Sequence, residues 1–179
     1  SIGRTIEESL LKAVRSLETG LSHLQHHKFD SVSEAELFDY IRIGTDDRIF
    51  AIAELLRRGR DVGEIAGATA IDALFIRKMK NIVEEEKEIK AFPGDIKVLR
   101  KAKRMGFSDK EIACLWSMSE AEVYGLRRQA GITPVYKMID TCASEFDSYI
   151  PYFYSVYEEE NESVISDRKK IIVLGSGPI

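Results

Sequence analysis

The sequence predicts a mainly α-helical protein: a multi-helix domain with two helix-turn-helix-like units, then an extended C-terminal tail and one truncated strand. Three observations predict this. Capping signals recur just before stretches whose apolar residues return every three or four positions. A glycine-to-isoleucine pattern occurs twice at a fixed offset. Beyond Gly131 the texture turns to proline, aromatic and β-branched residues.

The first helix is announced by Thr5-Ile6-Glu7-Glu8, which reads as a capping box. Thr5 can accept the backbone N–H three residues on, and Glu8 can reach back to the Thr5 N–H. Ile6, Leu10, Val14 and Leu17 then recur at helical spacing, and Gly20 is placed to end the helix in a left-handed turn. Residues 20–32 read as a polar connector containing His23, His26 and His27. On a helix these three would share a face at a spacing able to hold a metal. No carboxylate or cysteine stands close enough in sequence to favour that over a solvated linker. Ser33-Glu34-Ala35-Glu36 repeats the capping box and starts a short helix through Tyr40. Thr45-Asp46-Asp47 opens the next, with Ile49, Ile52, Ala53 and Leu56 as its buried stripe.

The repeat follows. Gly59-x-Asp61-x-x-Glu64-Ile65-Ala66 precedes Ile76 and Met79; Gly106-x-Ser108-x-x-Glu111-Ile112-Ala113 precedes Val123 and Leu126, 47 residues later. Each glycine ends a helix, Asp61 or Ser108 caps the next, and Glu64 or Glu111 completes the box. Ile-Ala lies on a buried face, and a further helix packs over it, giving two helix-turn-helix units. Between them Glu84 to Lys87 ends a long helix, and Pro93-Gly94-Asp95 begins the second unit.

In the tail, Pro134 forces its neighbour into extended geometry. Residues 149–157 are aromatic and β-branched, which suits an extended segment or edge strand. Glu158 to Glu162 reads as a solvated acidic linker. After Lys169 and Lys170, Ile171 to Leu174 is an apolar run of the kind that forms a buried parallel strand, followed by Gly175-x-Gly177, the opening of a phosphate-cradling loop. A parallel strand needs neighbours, so this one reads as the start of an α/β domain cut short.

Composition narrows the function. With 44% hydrophobic and 31% charged residues the chain reads as globular, and nothing approaches the apolar length of a membrane span. Cys114 and Cys142 lack metal-ligand spacing and read as two reduced thiols, one or both buried. A net charge of −4 disfavours nucleic acid as a partner. The alternative of a helix-turn-helix nucleic-acid-binding domain rests on the second unit, with a recognition helix from Ser119 to Gln129. That helix leads with Glu120 and Glu122, and its unit sums to −1, which a phosphate-lined groove repels. No nucleophile, base or metal constellation can be assembled, so the chain alone is expected to be inactive.

Several stretches in order resemble one family: Ile2-Gly3-Arg4-Thr5-x-Glu7-Glu8-Ser9, Ala53 to Arg58, Ile71-Asp72, and Gly106-Phe107-Ser108-Asp109. They continue with Val135-Tyr136-Lys137-x-x-Asp140-Thr141-Cys142-Ala143-x-Glu145-Phe146, Tyr154-Ser155-x-Tyr157-Glu158, and Val173-Leu174-Gly175-x-Gly177-Pro178. Together they resemble the large subunit of carbamoyl phosphate synthetase, almost end to end. The resemblance implies that residues 1–18 end the carboxyphosphate-synthetic half, 19–168 form a helical oligomerisation domain, and 169–179 open the carbamoyl-phosphate-synthetic half. It implies a cytoplasmic, ATP-dependent ligase that makes carbamoyl phosphate for arginine and pyrimidine synthesis from bicarbonate, glutamine-derived ammonia and two ATP. A glutaminase small subunit would be its partner. ATP and Mg2+ (or Mn2+) would bind in the synthetic halves, so no catalytic or metal residue carries over. Gly175 and Gly177 alone match a cofactor-binding loop. Ile6 stands where many relatives carry an aromatic residue, at an expected buried position.

Overall fold

The computed structural model describes residues 1–17, 19–142, 145–146, 152–173 and 175. Helices begin where capping side chains put them. Thr5 opens α1 (Ile6–Ser16) by accepting the Glu8 N–H at 3.1 Å. Ser33 and Glu36 form the expected capping box of α2 (Glu34–Arg42). α3 (Arg48–Arg57) and α4 (Val62–Thr69) follow; Asp61 caps α4 through the Gly63 N–H at 2.6 Å. α5 (Ala73–Ala91) is the longest, and α6 (Ile96–Arg104) starts from Asp95. α7 (Asp109–Trp116) and α8 (Glu120–Gln129) complete the helical body.

The repeat is structural. α3, α4 and α5 are matched by α6, α7 and α8, with α3 and α6 ending, and α4/α7 and α5/α8 starting, 47 residues apart. Gly59 and Gly106 take φ of +84° and +93°, which glycine alone adopts without strain. Ala70 and Ser117, again 47 apart, both sit at φ +56° in the turn between the second and third helix of each unit. Ile65 and Ile112 are fully buried at equivalent positions. Burying a side chain of that size contributes about 1.5–3 kcal/mol.

Both units share one apolar core, joined by Leu11 and Val14 of α1 and by Leu37 and Ile41 of α2. α3 is buried on nearly every side, through Phe50, Ala51, Ile52, Ala53, Leu55 and Leu56, so it is a central helix rather than one with a single stripe. α1 lies against the Gly106 turn: a Cβ there would meet Glu8 Cα at 2.9 Å, and Arg15 Nη1 donates to the Gly106 carbonyl at 2.8 Å. The indole of Trp116 donates to the Ile89 carbonyl at 2.7 Å, tying α7 to α5.

The tail forms a hairpin. β1 (Val135–Met138) pairs antiparallel with β2 (Phe153–Val156), Val135 facing Val156 and Met138 facing Phe153. The outer edge of β1 is covered by residues 161–162: Asn161 and Glu162 side chains accept the Tyr136 and Met138 N–H groups, and the Glu162 N–H donates to the Tyr136 carbonyl at 2.8 Å. That satisfies backbone groups which would otherwise template pairing.

Several expectations are corrected. Residues 20–32 are not a solvated connector: His23, Leu24 and Phe29 are buried, and a single 3-10 turn spans His27–Phe29. Glu8 accepts from the Arg4 N–H at 2.7 Å instead of closing a box on Thr5. Glu111 accepts from Ser22, and Glu64 closes no box. α5 runs on through Glu84–Lys87 to Ala91. Ile6 is 38% exposed, where a buried position was expected. Of the expected strand, residues 169–173 are exposed and not in a strand, and Leu174 lies outside the described residues.

Candidate assembly face and the ionic clasps around it

Two buried ionic clusters fix the helices, one per unit. In the first, the Arg57 guanidinium of α3 grips Glu86 of α5, Nε at 2.7 Å and Nη2 at 2.6 Å, and donates to the Leu24 carbonyl at 2.8 Å. His23 Nε2 lies 2.5 Å from Glu86 Oε1, and its ring packs on Phe107 with centroids 4.8 Å apart. Burial alone would raise the Glu86 carboxyl, but the hydrogen bonds from Arg57 and His23 outweigh it and hold it below the usual carboxylate range. With the carboxylate ionised, the ring nitrogen is the donor. The neighbouring Glu85 shifts the other way: burial raises it, and Lys101 at 2.6 Å does not compensate.

In the second cluster Asp109, at the start of α7, accepts from Lys103 Nζ at 2.7 Å and Arg127 Nε at 2.6 Å. Lys103 also donates to the Phe107 carbonyl at 2.7 Å. Burial pulls the lysine below its ordinary range despite Asp109. Burial works against ionised Asp109 too, yet the two cations hold its carboxyl low. Tyr157 of the tail stacks here, its ring 4.8 Å from Lys103 Nζ and 5.9 Å from the Arg127 guanidinium. The run Glu158–Glu162 then straps the tail to the body. Arg4 reaches Glu158 at 3.1 Å, Arg104 reaches Glu159 at 3.4 Å, and buried Lys137 meets Glu160 and Glu162 at 3.1 Å each. The acidic run is solvated, as expected of a linker, but its carboxylates also bridge to Arg4, Arg104 and Lys137.

The outer surface differs between units. Leu74 and Phe75, at the start of α5, are 44% and 51% exposed. On α4 and its C-terminal cap, Gly63, Gly67 and Ala70 are also exposed. On the second unit the matching face carries Lys110, Cys114, Ser117 and Glu122, all exposed.

The sequence-derived candidates fall as follows. Gly175 is exposed, with open space where a Cβ would lie; Gly177 lies outside the described residues. The three histidines are separated by their roles: His23 on Glu86, His26 accepting the Lys28 N–H, and His27 exposed on Asp30. Among the described residues no three His, Cys, Asp or Glu side chains are grouped to hold a metal ion. Cys114 is exposed and Cys142 half-buried, so neither is buried as expected. In α8, Arg127 is committed to Asp109, which leaves Glu120 and Glu122 at the end that would lead into a nucleic-acid groove. No helix among the described residues is long and apolar enough to cross a membrane.

The two clusters were missed in the sequence because their members are far apart: 63 residues separate His23 from Glu86, and 18 separate Asp109 from Arg127. The one available signal was a basic residue where the repeat calls for an apolar one, Lys103 opposite Leu56 on the 47-residue offset.

A duplicated three-helix unit, cross-braced by buried ion pairs and strapped by its own tail, defines a helical scaffold: a domain built to hold a shape and present faces. Residues 1–131, through both units, match the model of the family described as carbamoyl-phosphate synthetase large chain, oligomerisation domain, and the chain belongs to that family.

Proposed function

We propose that this chain is the connecting and self-association module of the large subunit of a glutamine-dependent carbamoyl phosphate synthetase. The observation that carries the reading is the family match, which spans α1 and both three-helix units. In this reading residues 1–18 end the carboxyphosphate-forming half, 19–168 form the assembly domain, and 169–179 begin the carbamoyl-phosphate-forming half. α1 shares the core of the helical body, so the first half would hand on its tail as a rigid lever rather than a loose linker. Gly175 and Gly177 would open the nucleotide loop of the second half, where ATP and Mg2+ or Mn2+ bind. The parent enzyme would draw on bicarbonate, two ATP and ammonia from a glutaminase subunit, in the cytoplasm, for arginine and pyrimidine synthesis.

What supports assembly over nucleic-acid binding is charge placement. Apolar side chains stand in water on the first unit, while α8 leads with Glu120 and Glu122 and its Arg127 is taken up by Asp109. Light scattering on the purified chain at rising concentration tests this. Mass should climb towards that of a dimer or higher species, and the same preparation should hydrolyse no ATP. A constant monomer mass up to millimolar concentration would end the self-association reading.

A further inference from the structure

A cleft of about 450 Å³ lies where α1, α5 and α6 meet. Its charged lining sets Glu7, Glu84, Glu85 and Glu88 against Lys78 and Lys101, a net charge of −2. Both lysines are already committed within the chain. Lys78 lies 3.3 Å from Glu7, which also accepts from the Asn81 amide at 2.8 Å. Lys101 lies 2.6 Å from Glu85 Oε2 and bridges to Glu88.

Glu85 is the most buried of the four acids, at 2% exposed, and its other oxygen, Oε1, is enclosed with no hydrogen-bond partner. A buried carboxylate oxygen left bare is costly, and nothing else in the chain relieves it. Burial raises the Glu85 carboxyl, and the Glu88 carboxylate adds to the rise in spite of Lys101. The floor of the cleft is thus short of positive charge and of an N–H donor at the same atom. Among the described residues these acids are not grouped to hold a metal ion. A primary ammonium carries one positive charge and three donors, and an apolar stem behind it can lie along Met105 and Thr5, which also line the cleft. Lys101 on Oε2 shows that the site accepts this chemistry, and leaves one oxygen still to be served.

We propose that the α1–α5–α6 cleft binds a small primary alkylammonium ligand, its head on Glu85 Oε1 and its charge shared with Glu84 and Glu88. The bound ligand links the α1 cap to α5 and α6 and so stabilises the folded chain. Lys101 is its resident competitor. The proposal stands apart from the self-association reading.

Titration of the full chain with n-butylammonium chloride, followed by two-dimensional amide NMR, tests it. Shifts should saturate in the millimolar range and centre on the Asn81 side-chain amide, Lys101 and Met105, and the thermal midpoint should rise in step. Tetramethylammonium chloride at equal concentration, a cation without N–H donors, should do neither. Glu85→Gln keeps the shape, removes the charge and should weaken binding about tenfold. Lys101→Met removes the competitor and should strengthen binding about tenfold; a gain of affinity cannot come from a chain that fails to fold. Circular dichroism verifies both variants. Shifts that never saturate, or that tetramethylammonium reproduces, overturn the proposal. So does an affinity within about twofold of wild type in either folded variant.

Discussion

The two three-helix units share a backbone and differ in what their side chains do with it. Unit one, α3 to α5, closes on Glu86, which serves Arg57 and the incoming connector through His23. Unit two, α6 to α8, closes on Asp109, which serves Lys103 and Arg127 and through them the tail, by way of Tyr157. Both clusters are carboxylates holding cations, Glu86 buried and Asp109 half-buried, yet they anchor different parts of the polypeptide. The difference teaches that a duplicated helix frame is kept by its glycines and caps, all local devices. Its interior and surface charges are then free to specialise, one unit holding the tail and the other leaving Leu74 and Phe75 in water.

The largest expected effect separates the clusters. Asp109→Ala leaves Lys103 and Arg127 buried without that counter-charge, and Glu86→Ala leaves Arg57 with Glu54 alone, 3.7 Å away; breaking a buried pair from one side costs about 3–5 kcal/mol. Urea unfolding should show losses of that order for both. The comparison is sharpened by hydrogen exchange on β1 and β2. Asp109→Ala should raise exchange there, since the cations on which Tyr157 stacks lose the carboxylate that positions them, whereas Glu86→Ala should leave it unchanged. Equal exchange in the two variants would mean the clusters do not hold separate parts.

Acid should weaken both units together. The carboxyls of Glu86 and Asp109 lie below their ordinary range in the folded chain. A lowered folded value means the contribution is fully present above the unfolded carboxylate range, about 4, and is lost as pH falls through the depressed folded values. The urea midpoint of the wild type should therefore fall steeply below about pH 4. Glu86→Gln and Asp109→Asn should start lower at neutral pH and fall less. An acid limb as steep in these variants as in the wild type would place the titration on other carboxyls.

The common frame was legible in the sequence and the divergence was not. Gly59, Gly106, Asp61, Ser108, Ser33 and Asp95 act on neighbours a few residues away, so their spacing fixed helix ends and the 47-residue repeat directly. The second strand of the hairpin was visible as the β-branched and aromatic run before Tyr157. What escaped were the roles of charges. Glu85 and Glu86 stand in an acidic stretch that reads as solvent-facing, and Glu158–Glu162 reads as a linker, until partners from other elements arrive. The histidines misled for the same reason: their spacing is local, but the group that settles the role of His23 lies 63 residues away on α5. Of the candidate site, the family resemblance pointed to assembly. The exposed pair Leu74 and Phe75 stands out only when the two units are laid over one another.

The smallest effect tests the shared frame itself. Ala70 and Ser117 both sit at φ +56°, where a side chain with a Cβ costs roughly 1–2 kcal/mol. Ala70→Gly and Ser117→Gly remove that strain but loosen the unfolded chain, which returns roughly 0.4–1 kcal/mol. A net gain of about 0.5–1 kcal/mol is expected from each, read as a rise in thermal midpoint. The two gains should agree although the side chains differ, because the backbone angle, not the side chain, sets them. Ser117 is the stricter case: its N–H donates to the Ala113 and Cys114 carbonyls, and glycine keeps that N–H. A gain at one site and a loss at the other would show that the turns, alike in angle, are held by different forces, and that specialisation of the units reaches into the frame.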